Sequence, residues 1–371
     1  MVINLLEKAL ELLKIFESKG YEAYLVGGFV RDYLLERKSN DVDICTNATP
    51  MDIKEIFKDV KLPFEGYGSV HLTYKKVGFE ITTYRMDLEY NNGRAPSKIV
   101  YTNSLFIDLK RRDFTMNALC MDSNGNIIDL LDSKDDIKNS LVKSIGDPDK
   151  KLKEDALRIL RAIRFATELN FEIDEELKKA IIDNGALLKK LSYYRKKQEL
   201  NKIFSSPNAL YGIKLIKQFK LEGYLGIDLT NEVVNTNDPI GIWVQVNPDN
   251  KYQFTNNEKK YMDAILSILK DKKINDMELY KNGNYVCYIA AQILGIDETD
   301  IYDRYDRLQI KNRADITLRP LDIIELLKIE NKSNLKKIIN DIETQIINNK
   351  LSNDKDSISK YLIDTYKNNM L

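Results

Sequence analysis

The stretch VGGFVRDYLLERKSNDVDICT, residues 26–46, ends in an apolar run that carries two aspartates one valine apart. In a strand alternate side chains share a face, so Asp41, Asp43 and Cys45 point one way and Val42 and Ile44 the other. Ionised carboxylates side by side repel each other, and such acids are rarely buried unless paired or holding metal. The pair therefore has two readings. One is a surface edge strand that carries the charges harmlessly. The other is a seat for two Mg2+ ions about 3.5–4 Å apart, the arrangement used for in-line displacement at phosphorus. Mg2+ favours hard oxygen ligands combined with substrate phosphates. Glu80, in the alternating stretch FEITTYR, is a candidate third carboxylate, with an exposed strand glutamate as the plain alternative.

Glycines and arginines accompany the acids. In GGFVRD, Gly27 and Gly28 fall between a strand and a helix, where bare backbone admits a ligand closely and helix-start N–H groups favour phosphate. Arg31 is spaced to reach that phosphate. In RRDFTMNA, residues 111–118, Arg111 and Arg112 beside Asp113 suit a triphosphate and ribose hydroxyls, with Asn117 a turn later. In EDALRILRAIRF, residues 154–165, a continuous helix puts Asp155 and Arg158 on one face. An aspartate acceptor beside an arginine donor matches the amino groups and ring nitrogens of cytosine and adenine, whereas uracil and guanine offer the aspartate a carbonyl. Arg161 and Arg164 continue the series, drifting about 60° around the helix at each step, as a basic strip suited to phosphates. Taken singly, these motifs also read as a tight turn or an ion-paired helix surface.

Hydrophobic periodicity supplies the elements that must position them. Residues 1–19 read as an amphipathic helix with a stripe at Leu5, Leu6, Leu10, Leu13 and Phe16, closed by Gly20. A strand over 22–28, a helix at VRDYLL, a strand over 41–46 and a helix opened by Thr49 and Pro50 follow. Strands over 68–74 and 79–85 are joined by KKVG, and the polar residues 86–103 read as a loop. A helix over 111–119 and a turn at 122–126 close a mixed α/β head near residue 140. From residue 150 periodic helical segments dominate, interrupted by a loop-rich spacer over 231–257. The expected fold class is α+β, a mixed-sheet head on an extended all-α body.

Composition narrows the function classes. A chain of 371 residues exceeds one compact core and implies two to four modules. With 57 basic and 57 acidic side chains the net charge is zero, so any nucleic-acid signal has to be local, as in YYRKK and KLIKQFK. The three cysteines, Cys45, Cys120 and Cys287, have no zinc or disulfide spacing, and His71 is the only histidine. That argues against zinc, haem and a Ser–His triad, and fits a reducing cytoplasm. No targeting segment or membrane span is expected from MVINLLEKALELLKIFESKG or from any later stretch.

GGFVRD, DVD and RRDFTMNA, in this order, resemble the nucleotidyltransferase head of class II tRNA nucleotidyltransferases and bacterial poly(A) polymerases, within the DNA polymerase beta-like superfamily. The resemblance implies that Gly28 and Arg31 contact the incoming nucleotide, Asp41 and Asp43 hold the metals, and Arg112 contacts the triphosphate or sugar. EDALR matches the E-D-x-x-R segment by which the family reads the base, which implies nucleotide contact by Asp155, Arg158, Arg161 and Arg164. LSYYRKKQELNKIF stands where the family reads S-x-E-R-x-x-x-E-L, with Tyr194 replacing the first glutamate and Arg195 and Glu199 retained. FTNNEK, LQIKNRADI and KLSNDKDSISKYLIDTY resemble the body and tail of the Bacillus-type enzymes, without the usual glycine-proline turn around IENKSN. The implied domains are a catalytic head, 1–140; a base-reading neck, 141–210; a body, 211–300; and a tRNA-binding tail, 301–371.

Members of this family add CCA, CC only, A only or poly(A). RMDLEYNNGRAPSKIVYTNSL corresponds to the flexible loop that CCA- and A-adding members keep and CC-adding members have shortened. Arg94-Ala95-Pro96 stands where Arg-Arg-Pro is typical, and Ile107 where an acid is common. A long basic tail of the poly(A) polymerase kind is absent from the sequence, and one histidine leaves no HD phosphohydrolase domain. The expectation is template-independent addition of CCA to the tRNA 3′ end, using CTP, ATP and Mg2+, with pyrophosphate released and the acceptor stem as the contacted partner. The alternatives are an A-adding enzyme, a poly(A) polymerase, a CC-adding enzyme, a non-catalytic RNA-binding protein, or a superfamily relative that modifies a protein or small molecule.

Overall fold

An amphipathic helix, α1 (Val2–Ser18), leads the chain and buries Ala9, Leu12, Leu13 and Phe16 before Gly20, at φ +84°, turns it back. The computed structural model describes residues 2–39, 41–57, 60–61, 68–90, 96–329 and 332–367. These divide into two compact units, Met1–Ile227 and Asp228–Leu371.

The first unit is built on a sheet. After β1 (Ala23–Val26) comes α2 (Gly28–Leu34), then β2 (Asp43–Thr46) and α3 (Pro50–Ile56), the last held by a capping box in which Thr49 and Asp52 satisfy each other's backbone N–H. The strands β3 (Val60–Lys61), β4 (Ser69–Tyr74) and β5 (Val77–Thr83) follow, and β8 (Cys120–Met121) and β9 (Ile127–Ile128) complete a seven-stranded sheet of order β3-β4-β5-β2-β1-β8-β9. The strand β2 lies in its middle, antiparallel to β1 and parallel to β5. That removes the edge-strand reading: Ile44, Cys45 and Thr46 are buried, so both faces are covered, and the acidic residues sit only at the strand's start. Asp41 precedes the strand and is exposed, while Asp43 is half-buried.

Two expectations for the sheet-bearing part of this unit fail. Residues 86–103 are not a loop: β6 (Arg85–Tyr90) and β7 (Pro96–Tyr101) pair antiparallel as a separate two-stranded sheet. Residues 91–95, with Ala95, lie outside the described residues, as do two residues of IENKSN. The helix expected over 111–119 lies earlier, as α4 (Leu105–Lys110) capped by Ser104; residues 115–117 form one 3-10 turn before β8 begins. The apolar positions Leu105 and Leu109, four apart, carry the helix into the core beside Tyr84 and Cys45, whereas Arg111–Asp113 has no apolar stripe to bury.

After α5 (Ser133–Lys138) and the short parallel pair β10 (Leu141–Val142) and β11 (Glu172–Ile173), helices take over. The continuous helix expected through EDALRILRAIRF is two: α6 (Pro148–Glu154) ends at Asp155, whose backbone is extended, and α7 (Leu157–Leu169) begins anew. The Asp155 carboxylate accepts from Leu157 N at 3.0 Å and starts that second helix. The unit closes with α8 (Glu175–Asn184), α9 (Tyr193–Phe204), α10 (Ala209–Gln218) and α11 (Glu222–Leu225).

In its described residues the second unit is helical throughout. Its elements are α12 (Pro239–Gln245), α13 (Asn256–Asp271), α14 (Asp276–Leu294), α15 (Glu298–Arg307), α16 (Pro320–Leu327), α17 (Lys332–Ile347) and α18 (Lys355–Leu362). The expected spacer over 231–257 thus contains α12, opened by an Asp238 cap with Pro239 at its first position, and Trp243 on it is fully buried. Among the described residues no helix is long and apolar enough to cross a membrane.

Candidate active site

The turn from β1 into α2 sets one wall of a cleft. Gly27 has φ +78°, a region open to glycine, and a Cβ there would stand 3.3 Å from Asp43 Oδ2 and 3.8 Å from Arg112 Nη1. The chain reverses directly over the carboxylate, and Arg112 lies beside it. Across β2 and β5 the register pairs Asp43 with Glu80, and across β5 and β4 it pairs Glu80 with His71. Burial, with the charges of Glu80 and Asp41, pushes the Asp43 carboxyl up to about 6; only Arg112 opposes them. The Asp43 side chain forms no hydrogen bond or ion pair among the described residues.

The arginines come from three segments. Arg31 is buried, donates to Asn117 Oδ1 at 2.9 Å and to Asp32 at 2.7 Å, and so ties α2 to the turn after α4. Arg111 and Arg112 are both held by Asp108, at 2.8 Å and 3.3 Å, and its side chain is wholly buried. Burial works against the charge on Arg112, but the Asp108 carboxylate beneath it keeps it protonated. Burial likewise pushes Asp113 up, yet Arg161 at 2.7 Å, the Asn117 amide and the Phe114 N–H hold it at about 2. From α7, Arg164 lies 3.3 Å from Glu199 on α9. Arg31, Arg161 and Arg164 all surround the Phe165 ring, at 5.3, 5.2 and 4.2 Å from its centroid.

Asp155 and Arg158 do not share a helix face as the sequence implied. Asp155 stands at the break and is braced by Arg195 from α9 at 3.3 Å; Arg158, in the first turn of α7, pairs with Glu154 at 2.8 Å. Both nevertheless line the same cleft of about 920 Å3. Every sequence-predicted candidate lines it: Asp41, Asp43 and Glu80; Gly27, Gly28 and Arg31; Arg111, Arg112, Asp113 and Asn117; Asp155, Arg158, Arg161 and Arg164. So do His71, Phe165, Arg195 and Lys202, for which the residue types gave no cleft assignment. The volume is of nucleotide scale, and eight arginines in its lining suit a polyanion although the whole chain is neutral.

No group of three metal-ligating side chains occurs among the described residues. The donor set is two aspartates with Glu80 alongside, all hard oxygens, with the half-buried Asp43 carboxylate among like charges and without a hydrogen-bond or ion-pair partner among the described residues. That chemistry fits a divalent cation completed by substrate phosphates and does not fit a closed protein cage.

Three stretches of the chain match known families: residues 23–143 the poly A polymerase head domain, residues 170–225 the probable RNA and SrmB-binding site of polymerase A, and residues 250–362 the putative tRNA nucleotidyltransferase domain 2. A CCA-adding enzyme of Ligilactobacillus salivarius strain UCC118 is 32% identical over 94% of each chain. One of Lactobacillus helveticus strain DPC 4571 is 33% identical over 96% of each. The chain belongs to the CCA-adding enzymes. The resemblance carried by GGFVRD, DVD and RRDFTMNA therefore holds along nearly the whole length. A solved CCA-adding enzyme of Bacillus stearothermophilus, in complex with CTP, superimposes with a TM-score of 0.86 at 27% identity over 98% of both chains. The fold also matches a Thermotoga maritima CCA-adding enzyme complexed with tRNA, at a TM-score of 0.70 and 21% identity. This member of the family is thus an enzyme, a nucleotidyltransferase with an α+β head and helical remainder.

Proposed function

We infer that the chain completes tRNA 3′ ends, adding C, C and A from CTP and ATP without a template. The carrying observation is the meeting, in one cleft, of the Asp41/Asp43 pair, the Arg111/Arg112 pair and the Asp155/Arg158 pair, contributed by segments far apart in sequence. CCA-adding enzymes need a divalent metal; here Asp41 and Asp43 would hold it, and Mg2+ is the ion their oxygens suit. When bound, such ions lower the pKa of the attacking hydroxyl and neutralise the leaving pyrophosphate.

This chain's residues supply the rest. Arg112, fixed by Asp108 beside Asp43, receives the triphosphate, with Arg111 and Arg31 along the same wall. Asp113 and Asn117 hold Arg161 and Arg31 in place, and their remaining polarity faces the sugar. Asp155 accepts from the base amino group and Arg158 donates to the ring nitrogen. Arg164 with Phe165 forms the wall behind them. Gly27 and Gly28 leave the backbone bare where the nucleotide passes over Asp43. The tRNA 3′-hydroxyl attacks the α-phosphate in line; a new phosphodiester forms as the bond to pyrophosphate breaks. We assign residues 1–140 to the catalytic head, 141–210 to the neck, and 211–300 and 301–371 to a body and tail that take the tRNA, in the cytoplasm.

The test is incorporation by purified protein with Mg2+ on three tRNA transcripts, lacking CCA, ending in CC, or complete, with CTP and ATP given singly and together. Two C and one A, then arrest, is the expected result. A alone on the CC-ended transcript would make it an A-adding enzyme, and tails of no fixed length a poly(A) polymerase.

A further inference from the structure

We propose that Lys151 is a positioning residue for the nucleotide: together with Arg158 it holds the three successive carbonyls that aim Arg111 and Arg112. Its ammonium donates to Lys110 O at 2.7 Å and to Arg112 O at 3.2 Å. Arg158 donates to the carbonyl between them, Arg111 O, at 3.2 Å, and to Lys151 O at 2.8 Å. The end of α4 thus gives carbonyls 110, 111 and 112 to two cations that lie about forty residues further on. A helix end leaves its last carbonyls without internal partners, and whatever satisfies them fixes the direction of the outgoing chain. Here that outgoing chain carries the two arginines beside Asp43.

Lys151 does not line the cleft, whereas Arg158, Arg111 and Arg112 do. It therefore acts through them. Arg158 has a double duty: it faces the base and grips the turn that faces the triphosphate. Base recognition and triphosphate seating are one hydrogen-bonded unit, with Lys151 as its hidden member. The charged groups around Lys151 are Arg158 from α7, Glu154 from α6, Asp113 from the turn and Asp87 from β6. Burial and Arg158 push the ammonium down to about 8, against the three acids. Above that pH it becomes a neutral and weaker donor, while a guanidinium at the same place stays charged.

The inference rests on the assigned activity, and the test separates the two. Steady-state incorporation would be measured with CTP on tRNA lacking CCA, and with ATP on tRNA ending in CC. Lys151→Met is expected to raise KM for both nucleotides about tenfold, the worth of a charge-assisted hydrogen bond, with KM for tRNA nearly unchanged. Lys151→Arg is expected to recover most of that loss. In the wild-type, kcat/KM for CTP relative to Lys151→Arg should fall as pH rises through about 8. Unchanged nucleotide KM in Lys151→Met, or equal losses for nucleotide and tRNA, would overturn the proposal. If Lys151→Met does not fold, the pH comparison of wild-type with Lys151→Arg decides, and parallel profiles overturn it. Wild-type protein that adds no nucleotide would overturn the assigned activity itself, and this proposal with it.

Discussion

Asp43 concentrates the site's electrostatics. It is half-buried and flanked by Glu80 and Asp41, and among the described residues it has no hydrogen-bond partner and Arg112 alone offsets its charge. On the proposed assignment, removing one of three neighbouring negative charges relieves the fold and disables the chemistry. Asp43→Asn is expected to melt roughly 2–4 °C above wild-type in metal-free buffer, for about 1 kcal/mol of repulsion removed. It should also lose the stabilisation that wild-type gains from added Mg2+, and abolish incorporation with tRNA affinity within twofold. Calorimetry and a binding titration check this; a variant that incorporates at the wild-type rate would remove the metal assignment. Asp155→Ala is expected to admit UTP where wild-type rejects it, read by primer extension with each nucleotide alone, and unchanged selectivity would count against base reading. At this scale the sequence was highly legible, because residue type and order in short motifs were enough to gather fourteen residues into one cleft. Asp108, Lys151 and Phe165 were not legible as organisers. Their importance lies in what they touch: Phe165, for instance, meets Arg31 from α2, which no spacing announces.

Elements explain why those side chains hold still. Asp108 on α4 is wholly buried, pairs with both Arg111 and Arg112, and accepts from Arg85 N at 3.2 Å. Asp108→Ala leaves two guanidiniums uncompensated and should cost about 3–5 kcal/mol in urea unfolding, with nucleotide affinity lost in the folded remainder. The brace between helices is gentler: Arg195→Ala frees Asp155 from α9 and should relax base selectivity partially, in the direction of Asp155→Ala. The break at Asp155 shows where periodicity misleads. KEDALRILRAIRF keeps a helical apolar spacing across the break, so the pattern reads as one helix. The aspartate before an apolar run was a legible start signal, but the period outweighed it. The β6–β7 ribbon escaped for the opposite reason. RMDLEY alternates strictly, but Met86, Leu88 and Val100 stay exposed on a pair that joins no larger sheet among the described residues, and the polar, turn-rich flank outweighed the period.

At the scale of the molecule, the two units have separate apolar cores. One gathers around Val26, Cys45 and Cys120; in the other unit, Ile265, Ile268 and Ala290 belong to one cluster and Ile342, Ile346 and Ile358 to another. Unfolding is therefore expected to depart from a single two-state transition. Trp243, the sole tryptophan, reports on the second unit, while the nucleotide cleft belongs wholly to the first. CTP with Mg2+ should shift a urea transition followed by far-UV circular dichroism and leave the Trp243 fluorescence transition in place. Coincident shifts by both probes would refute independent units. The helical texture after residue 150 was plain from periodicity; the boundary at Ile227 was not, because no change of composition marks it.

The placement of β2 has one more consequence. Its amides are shielded by a strand on either side, so the backbone beneath Asp43 should be among the slowest in the protein to exchange hydrogen for deuterium. The β6–β7 ribbon, paired only with itself, should exchange quickly. On the proposed assignment the reaction centre is anchored in that protected layer and cannot travel along a lengthening product. After each nucleotide is joined, the RNA end would then withdraw by one step to vacate the place where the next stands, with the movement in the substrate and the softer rim and not in the carboxylates.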